Sequence, residues 1–191
     1  MNKRAKTILD IGCGKGEPMK FINRKALFKV VGVDIFQPYL MGCKKSGLYS
    51  EVVRCDVRAL PFKEKSFDVV LCMALLEHLP KADGTKLIKD MEYIARKQII
   101  IDVPRGVYEQ HNVANGNPWQ IHRSFWEPDE LKKLGFRVKG QGLPIYGESG
   151  LVARLPQFVR WLGYPLYWLA SPVTYFFPRF SGNMVAIKRF Q

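Results

Sequence analysis

The chain of 191 residues is poor in the groups that staple a fold or hold a metal. It has four cysteines, Cys13, Cys43, Cys55 and Cys72, and no CxxC pair among them. A disulfide framework and a zinc ribbon are therefore not expected, and the thiols read as reduced in a cytosolic chain. There are three histidines and no HExxH, so zincin chemistry is excluded and no metal is expected. An apolar run long enough to span a bilayer is missing as well. Trp161 to Pro178 is uncharged for 18 residues, but a spanning helix needs ~20, and Pro165 and Pro172 interrupt this one. The basic start, Met1 to Lys6, leads to Asp10 and a glycine loop rather than an apolar stretch, so no secretion signal is expected. Repeats and low-complexity tracts are absent. Acidic side chains are absent from residues 151–191, which carry five basic ones.

What is present is ordinary globular usage, with 47% hydrophobic and 25% charged residues, enough for one domain with its own core. The net charge is +13, and the excess sits at the two ends, since residues 1–50 carry ten basic and three acidic side chains. Such ends favour an anionic partner: nucleic acid, acidic lipid headgroups or a phosphorylated substrate. Short β-branched runs alternate with helix-period segments, the pattern of βαβ units around a parallel sheet. The runs predict strands over Thr7–Ile11, Val30–Asp34, Glu51–Cys55, Phe67–Cys72 and Gln98–Val103, then Phe136–Gly140 and Met184–Phe190. Helices are predicted over Thr85–Arg96, with Leu87, Ile88, Met91 and Ile94 on one face, and over Glu127–Leu134.

About forty residues, 143–182, separate the last two predicted strands. That is far beyond an ordinary hairpin connection, and the segment holds ten of the 24 aromatics. Leu151, Leu155, Phe158, Val159 and Leu162 share a helical face. Trp and Tyr flanked by Arg is the composition of an interfacial segment, while a pair of helices packed as a lid is the commoner use of such a run. Both readings suggest an apolar acceptor. They set a peripheral membrane position beside a plain cytoplasmic one.

The first strand runs into Gly12-Cys13-Gly14-Lys15-Gly16, a loop whose glycines let backbone turn and approach a ligand closely. The spacing departs from GxGxxG: Glu17 stands where a dinucleotide fold wants glycine. Asp10, two residues before the loop, would repel a pyrophosphate and attract an ammonium or sulfonium. Asp34 ends the second strand, where a carboxylate can accept two ribose hydroxyls. Asp56 follows the third strand and is placed to accept the amine of an adenine, with Ile35 and Val57 on the ring faces. Each carboxylate alone could be a helix cap. Three at successive strand ends after such a loop point to one ligand.

ILDIGCGKG, VVGVD, CDVRALPF and FDVVLCMALLEHLP resemble the successive motifs of class I S-adenosylmethionine-dependent methyltransferases. The resemblance is to the type 11-like group that includes ubiquinone-biosynthesis O-methyltransferases, and it covers Ile8 to Gly140. It implies a Rossmann-like, doubly wound α/β sheet of seven strands, mostly parallel, with the last antiparallel. It also implies S-adenosylmethionine as cofactor and S-adenosylhomocysteine as product. Gly12, Gly14 and Gly16 would surround the methionine part, with Asp10 at its amino end. Asp34 would take the ribose and Asp56 with Val57 the adenine. Cys72 or Met73 would line the cofactor. Two features depart from the pattern: only a few residues precede the first strand, and the 143–182 segment is long.

His78, in Leu76-Glu77-His78-Leu79 just past the fourth strand, is the first candidate for a base, and His122 the second. In one metal-dependent group the motif is ExxEH, and Ala74 here replaces its first glutamate, which argues against a metal. Asp102, Arg105 and Tyr108 are further pocket candidates, and His111 reads as solvated. The sequence favours a methyltransferase on a small or lipid-like acceptor. RNA as acceptor, suggested by the charge, and a non-catalytic module of the same fold that binds a membrane or partner are the alternatives. Oligomeric state is left open.

Overall fold

A computed structural model describes residues 4–106, 116–143, 168–169 and 171–190. Much of the long 143–182 segment lies outside them, including its predicted amphipathic face at Leu151 to Leu162, as do Tyr108 and His111.

Seven strands form one sheet. In chain order they are β1 (Thr7–Ile11), β2 (Lys29–Asp34), β3 (Glu51–Arg54), β4 (Phe67–Met73), β5 (Ala95–Pro104), β6 (Arg137–Gln141) and β7 (Asn183–Arg189). Their spatial order is β3-β2-β1-β4-β5-β7-β6. β1 to β5 pair in parallel, and β7 runs antiparallel to both β5 and β6. The chain leaves β1 towards β3 on one side and later returns from β4 outward on the other. This reversal beside β1 is the switch point at which open α/β sheets bind ligands. The helices are α1 (Glu17–Ile22), α2 (Gln37–Lys45), α3 (Lys81–Ile94) and α4 (Pro128–Lys133).

The central strands are buried throughout, as strands covered on both faces must be: Ile8, Leu9, Ile11, Val69, Val70, Leu71 and Cys72 are all in the core. Leu87, Ile88, Met91 and Ile94 of α3 are buried together, as their spacing predicts. The helix itself is shifted: it begins at Lys81 after Pro80 and ends at Ile94 rather than running to Arg96. Pairing takes the last residues, because Ala95 lies opposite Phe67 and opens β5 three residues before the predicted Gln98. Around α3, Gly84 makes room for the buried Trp126, whose ring would stand 2.8 Å from a Cβ at that position.

The C-terminal end of the long connection lies against the sheet. Residues 171–176 are helical, and a turn follows at Pro178–Phe180. Gly140 on β6 is the contact point: a Cβ there would come within 2.6 Å of the Ser181 Cβ and would overlap the Thr174 carbonyl oxygen.

Candidate active site

Gly12 and Gly14 take φ of +69° and +54°, backbone that favours glycine, and so turn the chain sharply out of β1. The Gly12 and Cys13 amides both donate to the Val33 carbonyl, at 2.8 and 3.0 Å, which fastens the loop to β2. Asp34 finishes the job. Its Oδ2 accepts from the Gly14 amide at 2.9 Å and its Oδ1 from the Phe36 amide at 2.8 Å. A Cβ built on Gly14 would meet nothing within 4 Å, so this residue faces open space.

That space is a cavity of about 670 Å³, of the size that takes a nucleoside-bearing ligand. Asp34, Ile35, Asp56 and Val57 line it past β2 and β3, and Asp10, Gly12 and Gly14 line it at the central β1. Met73, Ala74, Leu75 and His78 carry the lining past β4, and Asp102, Asn117, Trp119 and Arg123 close the far end. The predicted residues are thus largely brought together. Gly16, Cys72 and His122 are not among the lining. Gly16 is the left-handed residue before α1, packed against Tyr49 and Cys43, and Cys72 is fully buried in β4. Arg105 pairs with Glu127 at 3.0 Å and is likewise outside the lining.

The carboxylates differ in state. Asp10 is buried, and burial pushes its pKa up to about 7 despite a 2.7 Å hydrogen bond from the Tyr49 hydroxyl. Tyr49 escapes a reading of local motifs because its partner is 39 residues away in sequence. Asp56 is a cap: it accepts from the Arg58 amide and is clamped by the Arg58 guanidinium at 2.6 Å, which holds its carboxyl below the usual range. Its ability to take an adenine amine depends on the lone pairs Arg58 leaves. Asp102 is pushed up to about 6 by burial, offset by a 2.6 Å hydrogen bond from Asn183 on β7.

The histidine end is built by residues 121–126. The Arg123 and Ser124 amides donate to the Glu77 carbonyl at 2.7 and 3.1 Å, and Ser124 Oγ donates to the Leu76 carbonyl. Trp126 Nε1 donates to Ser124 Oγ and anchors the loop in the core. His122 is thereby set beside His78, with ring centroids 5.0 Å apart at 60°. Burial and the neighbouring His122 lower the His78 pKa to about 4, so it is neutral near pH 7. Burial raises Glu77 to about 8.

The geometry suits S-adenosylmethionine: an open glycine turn, a carboxylate at the end of β2, apolar Ile35 and Val57 nearby, and room for the whole molecule. Comparison with known proteins agrees. Residues 8–98 match the methyltransferase domain family. An uncharacterized protein of Methanocaldococcus jannaschii is 36% identical over 140 residues, which span 72% of this chain and 57% of that protein. A ubiquinone biosynthesis O-methyltransferase of Hahella chejuensis is 38% identical over 81 residues, 39% of this chain and 33% of that one. The chain therefore spans less than two thirds of the length of these relatives. A crystal structure of a SAM-dependent methyltransferase from Archaeoglobus fulgidus has a TM-score of 0.63 at 22% identity, covering 98% of this chain and 87% of that one. At that identity the likeness is one of fold. The domain match takes in the glycine loop and strands β1 to β4, and residues 8–98 are a methyltransferase domain of the S-adenosylmethionine-dependent kind.

Proposed function

We propose that the chain transfers a methyl group from S-adenosylmethionine to a small or lipid-like acceptor and leaves S-adenosylhomocysteine. The observation that supports this best is one cavity lined from Val57 and Asp34 through Gly12 and Gly14 to His78. In this reading Gly12, Gly14 and Gly16 shape the methionine end and Asp10 faces the ammonium group. Asp34 takes the ribose hydroxyls on lone pairs its two backbone donors leave free. Ile35 and Val57 flank the adenine, Asp56 meets its amine, and Cys72 and Met73 back the cofactor through β4.

The cofactor supplies an electrophilic methyl carbon on a cationic sulfur. The chain supplies alignment at near-attack distance and exclusion of water, from Leu75, Leu79 and Trp119 on the cavity wall. His78, on the cavity wall with His122 beside it, is the candidate to take the proton that an oxygen nucleophile releases; its pKa of about 4 keeps it neutral but makes it a weak base near pH 7.

Support for an apolar acceptor comes from the aromatic segment. Trp168, Leu169, Phe176 and Phe177 are all exposed, and Lys139 stands 4.6 Å over the Phe176 ring. No helix among the described residues is long and apolar enough to cross a membrane. This segment instead suits a peripheral contact with a lipid surface in a cytoplasmic enzyme. Phosphate-bearing RNA is the second reading, favoured by the +13 charge.

Calorimetric titration with S-adenosylmethionine tests the cofactor assignment. Binding at one site per chain is expected, with Asp34→Ala weakening it about tenfold to a hundredfold, the range for a lost charge-assisted hydrogen bond. Binding unaffected by Asp34→Ala would contradict the reading.

A further inference from the structure

The cavity holds a carboxylate that the cofactor does not use. Asp102 lies near the C-terminal end of β5, the end at which open sheets place their ligand groups. The sheet order puts β4 between β5 and β1, so Asp102 stands across β4 from the glycine loop, Asp34 and Val57. It is half-buried and lines the same cavity. Its backbone is held in register: Asp102 pairs with Met73, and its carbonyl accepts from the Ala74 amide at 2.9 Å. One carboxylate oxygen is held as well. Asn183, the first residue of β7, donates from Nδ2 to Asp102 Oδ1 at 2.6 Å. Oδ2 has no hydrogen-bond partner among the described residues, and no cation among them pairs with the carboxylate. A carboxylate oxygen withdrawn from bulk water without a donor is stabilised by a ligand that supplies one.

We propose that Asp102, set in place by Asn183, binds the hydroxyl group of the acceptor and takes its proton as the methyl group is transferred. This role rests on the methyltransferase reading. A carboxylate suits a hydroxyl better than an amine here, because it would hold an amine as the ammonium ion, which has no lone pair to attack with. The hydroxyl oxygen attacks the methyl carbon, and the carbon–oxygen bond forms. The carbon–sulfur bond breaks with its electron pair returning to sulfur, which gives S-adenosylhomocysteine. The hydroxyl proton passes to Asp102 Oδ2 and from there to water. Burial, offset by the Asn183 hydrogen bond, brings the pKa of Asp102 to about 6, so it is ionised near pH 7 and a stronger base than His78 at about 4. The groups that face it do not titrate with it. Burial keeps Glu77, on the turn after β4, protonated up to about pH 8, and it pushes the Cys72 thiol of β4 up as well. β7 faces it with the neutral Asn183. Arg105, just past β5, is paired with Glu127, and Arg123 is the arginine lining the same end of the cavity.

The test measures initial rates of transfer from methyl-labelled S-adenosylmethionine, saturating at every pH, to the organic extract of a cell lysate. The native rate should rise with pH and level off above an apparent pKa of about 6. Asp102→Asn should lower the plateau about a hundredfold or more and remove that rise, with S-adenosylmethionine affinity by calorimetry retained. Asn183→Ala removes a donor that lowers the Asp102 pKa, so it should move the rise to higher pH, a shift that lost packing alone would not produce. Affinity for S-adenosylmethionine reports the folding of each variant, and Asn183→Ala carries the test if Asp102→Asn does not fold. A rise centred near pH 4, or one that Asn183→Ala leaves in place, would assign the proton to His78 and overturn the role of Asp102. Undiminished transfer by Asp102→Asn would overturn it too, and in each case the methyltransferase reading would stand. Absence of transfer by the native chain would overturn that reading, and the role of Asp102 with it.

Discussion

Asp10 carries an unusual demand for a side chain at the head of a glycine loop. It is buried against Tyr49, and its pKa is raised from 3.8 to about 7. A carboxyl raised in this way stabilises the folded apo chain fully below pH 4 and loses that contribution as pH rises through 7. An ammonium group beside it favours the ionised form. Binding of S-adenosylmethionine below pH 7 should therefore release a proton. Its affinity should rise with pH up to about 7 by as much as about tenfold per unit and level off above. Calorimetry in two buffers of different ionisation enthalpy measures the proton directly. Asp10→Asn should abolish the release, and a pH-independent affinity in the native chain would remove Asp10 from the ammonium site. The same residue shows the limit of local reading. The DIGCGKG motif marks Asp10 as a ligand group, but its charge state is set by burial and by Tyr49, which comes from the loop before β3. Asp34 was legible in place, at the end of β2. Its bond to the Gly14 amide, which makes the loop and the carboxylate one unit, was not.

At the scale of elements, β-branched apolar runs located every strand among the described residues within a few positions. The misses have a common cause. Ala95 and Arg96 look helical by continuity with α3, yet β4 offers Ala95 a partner in Phe67, and the sheet wins. Asp56 reads equally as ligand or cap, and only the nearby Arg58 decides how strongly it is engaged. The meeting of His78 with His122 depends on a loop pinned by Ser124 and Trp126, a contact without any local signature. Gly140 has no marked spacing either, but it admits the 171–182 segment to β6. Gly140→Ala forces a Cβ into the Thr174 carbonyl and should destabilise the chain by about 1–3 kcal/mol, the range for overpacking a close contact. Urea denaturation checks it. An unchanged midpoint would mean that the segment is not seated on β6.

The whole molecule is strongly basic, and the described part of its aromatic segment is exposed beside Lys139. Aromatic side chains and cations together favour an anionic lipid surface. Flotation with vesicles rich in phosphatidylserine should carry the chain upward at low salt and release it as salt rises. Phe176→Ser with Phe177→Ser should reduce the bound fraction at every salt concentration. Failure to float at low salt would confine the aromatics to a role within the protein.

The acceptor class is the central claim, and labelled methyl transfer reads it most directly. The chain is incubated with methyl-labelled S-adenosylmethionine and a cell lysate, and the products are separated into organic, RNA, protein and small polar fractions. Label in the organic or small-molecule fraction, absent with Asp34→Ala, is the expected result. Label confined to RNA would contradict the apolar acceptor, and no label in any fraction despite bound cofactor would contradict catalysis.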